Sequence, residues 1–178
     1  IGIYSRTRWE WTLADLAIMT AGALPVSIYD TSSDAQIEWI CRDAGVSMIV
    51  AEQPLHVAHA NAVKAGGTTP LQRIVCIDDG AMDDLAQAGA AVTDDELEAR
   101  LATVNHDSLA TIMYTSGTTG LPKGVELTQY SYVRHVTGMV DSMRDVVFEK
   151  DASTVLFLTL AHSLARLVQF CFLHSGLV

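Results

Sequence analysis

The residues best suited to chemistry in this chain fall in one run, Tyr114-Thr115-Ser116-Gly117-Thr118-Thr119-Gly120-Leu121-Pro122-Lys123-Gly124. Binding a polyphosphate needs several hydrogen-bond donors at short range together with positive charge. Gly117, Gly120 and Gly124 let the backbone approach closely and turn its N–H groups inward. Thr115, Ser116, Thr118 and Thr119 add hydroxyls, and Lys123 adds a mobile point charge. Only three lysines exist in the sequence, Lys64, Lys123 and Lys150, so a lysine inside this run stands out. A Ser/Thr/Gly loop closing a strand is the plainer reading, but it does not account for glycines, hydroxyls and a scarce lysine falling together.

The run is not a Walker-type loop. Counting from Gly117, the second glycine of GxxxxGK[ST] is replaced by Pro122, and the hydroxyl that should follow Lys123 is replaced by Gly124. Nor does the spacing give GxGxxG, so the dinucleotide fingerprint is missing. A second candidate, His162, falls where an apolar strand should end and Ser163 should start a helix, the edge at which α/β sheets hold ligands. A histidine satisfied by its local backbone explains it equally well. Arg166, one turn on, reads as a surface residue. His56 and His59 are spaced i, i+3 with no third ligand, which suggests solvated surface rather than a metal site. Trp9, Trp11 and Leu13 with Leu16, Ile18 and Met19 read as core packing.

The elements that must position these residues alternate. Strands are expected at 1–5, 24–29, 47–51, 73–77, 109–114 and 154–160. Helices are expected at 8–21, 33–44, 54–65, 94–103, 128–144 and 163–175. That order argues for an α/β fold, layered, with mostly parallel sheets and crossover helices. Ser33 and Gln36 match a capping box, Gly22 and Gly45 stand at helix ends, and Asp94, Asp95 and Glu96 suit a helix N-terminus. Residues 78–103 are acidic, Ala-rich and poor in large apolar side chains, and read as a surface insertion with one short helix.

Composition narrows the function. With 178 residues, 49% hydrophobic and 18% charged, the chain suits one domain with a real core. A net charge of −10 disfavours nucleic acid as a partner. Cys41, Cys76 and Cys171 lack CxxC spacing, which fits buried thiols and a cytoplasmic setting. The apolar stretch 155–178 carries His162, Arg166, Gln169 and His174, and a central arginine costs about 2.5–3.5 kcal/mol on insertion scales. A strand running into a buried helix is therefore expected there, not a membrane span. The start at Ile1 and the stop at Val178, both apolar, suggest a piece of something larger.

The run YTSGTTGLPKG resembles the phosphate-binding loop of the adenylate-forming superfamily, which includes acyl-CoA ligases, luciferases and peptide-synthetase adenylation domains. Residues 2–11, 23–33 and 158–163 resemble the long-chain fatty acyl-CoA ligase branch. Gln129, where relatives usually carry His, and Thr159, where they usually carry Pro, depart from it. The resemblance implies that residues 1–178 are part of the large N-terminal AMP-binding domain of an adenylate-forming enzyme, with the rest of that domain and the C-terminal domain outside the sequence.

It further implies ATP, magnesium and coenzyme A as reaction partners, and a fatty acid activated as acyl-adenylate before transfer to coenzyme A. Residues Thr115, Ser116, Gly117, Thr118, Thr119, Gly120 and Lys123 would hold the β- and γ-phosphates, and His162 would border the acyl-adenylate. By the same likeness the adenine, ribose and adenylation-lysine contacts lie beyond Val178, so the piece alone should not turn over. Activation of another carboxylic or amino acid is the alternative. Peripheral membrane association of the parent is compatible with the sequence but not encoded in it.

Overall fold

The computed structural model describes residues 1–115, 121–149 and 153–176. Its first half is the expected alternation: β1 (Gly2–Tyr4), α1 (Trp9–Thr20), β2 (Val26–Ile28), α2 (Asp34–Asp43), β3 (Met48–Ala51), α3 (Pro54–Ala65) and β4 (Arg73–Cys76). Then come α4 (Ala81–Ala88), α5 (Asp94–Leu101), β5 (Leu109–Thr115), β6 (Lys123–Thr128), α6 (Gln129–Ser142), α7 (Arg144–Val147) and α8 (Ser163–Ser175). The strands form one sheet in the order β4-β3-β1-β2-β5-β6, parallel throughout except for the antiparallel pair β5–β6.

Side chains alternate across this sheet with the period of two that a pleated strand imposes. Tyr4, Val26, Ile28, Ile49, Ala51, Ile112 and Tyr114 point to one face and pack under α2 and α3 through Ile37, Ile40, Ala60 and Val63. Ile3 and Val50 point to the other and meet Trp11, Ala14 and Ile18 of α1 and Ala165 of α8. Helices thus cover both faces, as the burial of parallel strands on both sides requires. Local signals are realised as written. Ser33 and Gln36 form the reciprocal capping box of α2, Thr93 and Glu96 do the same for α5, and Gly45 closes α2 at φ +63°.

Five expectations are corrected. The acidic insertion holds two helices, α4 as well as α5. No strand forms among the described residues of 154–160. Val155 and Phe157 are about four-fifths exposed, and backbone groups of Leu158 and Leu160 bond instead to the Thr7 hydroxyl. Arg166 is not a surface residue but fully buried, because Asp15 of α1 takes both its guanidinium arms and Thr111 of β5 accepts a further bond. His56 is likewise buried, stacked on Tyr4 with ring centroids 4.3 Å apart, while His59 pairs with Asp34 at 2.5 Å. The tryptophan stripe divides: Trp11 and Ile18 are core, whereas Trp9 and Leu13 face outward.

Candidate phosphate site

Lys123 is positioned by a strand pairing that sequence reasoning missed. β5 ends at Thr115 and β6 begins at Lys123, and the two residues are partners across the antiparallel pair, with Tyr114 opposite Gly124 one step inward. The run therefore leaves one strand and returns along the next. A helix begins only at Gln129, with the Thr128 hydroxyl accepting from the Ser131 N–H. A Walker-type loop opens a helix at its lysine, so the backbone agrees with Pro122 and Gly124 in excluding that class. Ser116, Gly117, Thr118, Thr119 and Gly120 lie outside the described residues.

Thr115 and Lys123 are both exposed, and no ion pair among the described residues uses Lys123. A cleft of about 480 Å³ is lined by Trp39, Asp43, Leu121, Pro122, Lys123 and Gly124. Its walls come from α2 as well as from the run. The Trp39 indole N–H donates to the Pro122 carbonyl at 2.8 Å, and the Tyr114 phenol donates to Asp43 at 2.5 Å. Burial, and then the bond to the Asp43 carboxylate, push the Tyr114 phenol well above its ordinary value, so it remains a donor. Gly124 sits close under its neighbours. A Cβ there would meet Ile112 Cγ2 at 3.0 Å and the Tyr114 ring at 3.2 Å. Nothing in the sequence marked Trp39 or Asp43, which fall on an ordinary amphipathic helix.

His162 caps α8: its Nδ1 accepts from the Leu164 N–H at 3.3 Å, and the ring is exposed. The helix it caps is fixed beneath by Arg166. Just before it, Leu158 and Leu160 are tied to Thr7, which follows the carboxyl end of β1. Because β1, β2 and β5 run parallel, that end and the end of β5 at Thr115 share one edge of the sheet. His162 and Lys123 thus stand on the ligand-binding edge of an α/β sheet, with no hydrogen bond between them among the described residues. The same edge carries Glu52, whose carboxylate accepts from the Arg6 backbone N–H at 2.8 Å and from its guanidinium. Burial would raise that carboxyl, but the bonds and charge of Arg6 outweigh it and hold it below its ordinary value.

A separate apolar pocket of about 370 Å³, lined by residues such as Leu13, Ile18, Met48, Val50 and Met82, shares no lining residue with the Lys123 cleft. Among the described residues, no helix is long and apolar enough to cross a membrane.

Residues 1–178 match the family model for the AMP-binding enzyme. A long-chain-fatty-acid–CoA ligase of Mycobacterium bovis, FadD15, is 39% identical over 176 residues, covering 97% of this chain and 29% of that protein. Human long-chain-fatty-acid–CoA ligase 6 is 29% identical over 192 residues, covering 100% of this chain and 28% of the relative. The chain thus spans about three tenths of the length of these relatives. Among solved structures, the FadD1 long-chain-fatty-acid–CoA ligase of Archaeoglobus fulgidus superposes with a TM-score of 0.70 at 18% identity, over 99% of this chain and 33% of that one. McyG A-PCP, complexed with phenylalanyl-adenylate, superposes with a TM-score of 0.77 at 17% identity, over 99% of this chain and 26% of that one. At those identities the likeness speaks for the fold.

Proposed function

Because this chain belongs to the AMP-binding enzyme family, we propose that the full-length protein carrying it is an AMP-forming long-chain fatty acid–CoA ligase. Residues 1–178 are then part of its large N-terminal domain. One observation carries the reading most directly: the run 114–124 sits between two paired strands at the carboxyl edge of a mostly parallel sheet, with Lys123 exposed opposite Thr115. The 39% identity to a ligase named for long-chain fatty acids supports that substrate class.

In this reading the fatty acid carboxylate attacks the α-phosphate of ATP. The bond to the β-phosphate oxygen breaks, and acyl-adenylate and pyrophosphate form. The thiolate of coenzyme A then displaces AMP and leaves the thioester. Lys123 and the hydroxyls and N–H groups of residues 115–120 hold the β- and γ-phosphates and offset the charge that grows on the departing pyrophosphate. This is catalysis by positioning and electrostatics. His162, exposed at the same edge, borders the acyl-adenylate. Magnesium accompanies the polyphosphate as part of the substrate. No group of three or more His, Cys, Asp or Glu side chains converges among the described residues.

The test is ATP–pyrophosphate exchange by the full-length protein with and without palmitate, wild type against Lys123→Ala. Fatty-acid-dependent exchange is expected, falling roughly a hundredfold in the variant, the scale for losing one transition-state donor. Exchange driven by amino acids and by no fatty acid would replace the ligase with another adenylating enzyme. Exchange with no carboxylic acid at all would overturn both.

A further inference from the structure

The phosphate run is gripped from outside itself. Trp39 and Asp43 lie one turn apart on α2, an i, i+4 pair on one helix face. Trp39 holds the carbonyl of Pro122, the residue before Lys123, across 83 positions of sequence. Proline has no N–H, so that carbonyl is the only backbone group through which Pro122 is fixed. Asp43 holds the phenol of Tyr114, the residue before Thr115, across 71 positions. The Arg42 guanidinium lies 5.3 Å from the centre of the Trp39 ring and steadies the indole. Gly124 leaves the space in which the Tyr114 ring reaches Asp43. One helix therefore clamps both shoulders of the run, at the residues adjoining Thr115 and Lys123, and its two clamping side chains share a cleft with Lys123.

We propose that Trp39 and Asp43 are positioning residues for ATP, fixing where the Lys123 ammonium and the Thr115 hydroxyl stand relative to the polyphosphate. The inference rests on the reading of the run as the ATP phosphate site. The two side chains act through the Pro122 carbonyl and the Tyr114 phenol, and a lysine anchored at its backbone meets a phosphate with less conformational freedom to lose.

The experiment uses the full-length protein with Trp39→Phe, which keeps an aromatic ring and deletes the N–H, and Asp43→Asn as the second variant. KM for ATP is expected to rise roughly three- to tenfold in Trp39→Phe, the scale of one net hydrogen bond. KM for palmitate should stay unchanged, with the melting temperature within about 2 °C of wild type. In a Lys123→Ala background the same substitution should cost less than about twofold, because the group it positions is gone. Unchanged ATP parameters in both variants, an equal rise in KM for palmitate, or full additivity with Lys123→Ala would overturn the proposal. Wild-type exchange with fatty acids alongside silent Trp39 and Asp43 variants would refute positioning alone. Absence of exchange with any acid would refute the ligase reading. Calorimetric ATP binding then decides the positioning: a weaker Kd in Trp39→Phe sustains it, and an equal Kd, or no ATP binding by wild type, overturns it.

Discussion

Replacing Arg166 with methionine should destabilise the protein severely. The guanidinium and the Asp15 carboxylate are both fully out of water. Arg166 donates twice to Asp15 and once to Thr111, and its charge lies over Trp11 at 5.5 Å and over Tyr132 at 5.9 Å. Methionine keeps much of the apolar stem but leaves the carboxylate buried without its counter-charge, which costs about 3–5 kcal/mol. For a cooperative unit of about 150–250 residues that would be a fall of roughly 6–20 °C in melting temperature, and proportionately less in the larger domain of which these residues are part. Asp15→Leu should do similar damage by stranding the guanidinium. The pair Arg166→Met/Asp15→Leu should recover most of the loss, since removing both charges removes the desolvation penalty. Thermal melts of the full-length protein, paired with amide exchange over β5 and α8, read this directly. A single-variant shift under about 2 °C, or a double variant as unstable as the two losses added, would refute the buried-pair argument.

Two further outcomes follow from the same geometry. Gly124→Ala places a methyl 3.0 Å from Ile112 Cγ2 and 3.2 Å from the Tyr114 ring. It should cost about 1–3 kcal/mol in denaturant unfolding by overpacking and should raise KM for ATP by displacing the Tyr114–Asp43 bond. His56 is 4% exposed, with no hydrogen-bond partner for Nδ1. Burial, opposed by the Glu52 and Asp30 charges, holds its pKa below the ordinary 6.5. The unfolded chain therefore binds that proton more readily, so the stability His56 contributes is present above pH 6.5 and is lost as pH falls below it. The slope is at most about 1.4 kcal/mol per pH unit for one proton. His56→Phe should flatten this decline in melts taken between about pH 7 and pH 5, and an unaltered slope would place the titration elsewhere.

Much of the fold is local in origin and was legible as such. The capping box at Ser33 and Gln36, the left-handed Gly45 and the short apolar strands 24–29 and 47–51 each act within a few residues, and each forms where it was expected. The run 114–124 stood out as a candidate for the same reason, since the donors and charge that a polyphosphate would need are side chains and glycines adjacent in sequence. β6 was not. Its alternation is confined to Val125-Glu126-Leu127-Thr128 and its residues are largely exposed, so its strand identity comes from the ladder with β5. The converse holds for 154–160, whose apolar residues suit a strand but find no partner among the described residues. Burial of charge was hidden as well: Arg166 looked like surface because its partner lies 151 positions away, on another helix. Trp39 gave no chemical signal until the fold brought it to Pro122. The sequence by itself marked residues 115–123 as a candidate phosphate loop and placed most of the helices and parallel strands, because donor chemistry and short-range periodicity reside in neighbouring side chains. Only the tertiary structure decided what holds Lys123 in place and which charges are buried, because desolvation and long-range hydrogen bonds depend on neighbours that the order of residues does not reveal.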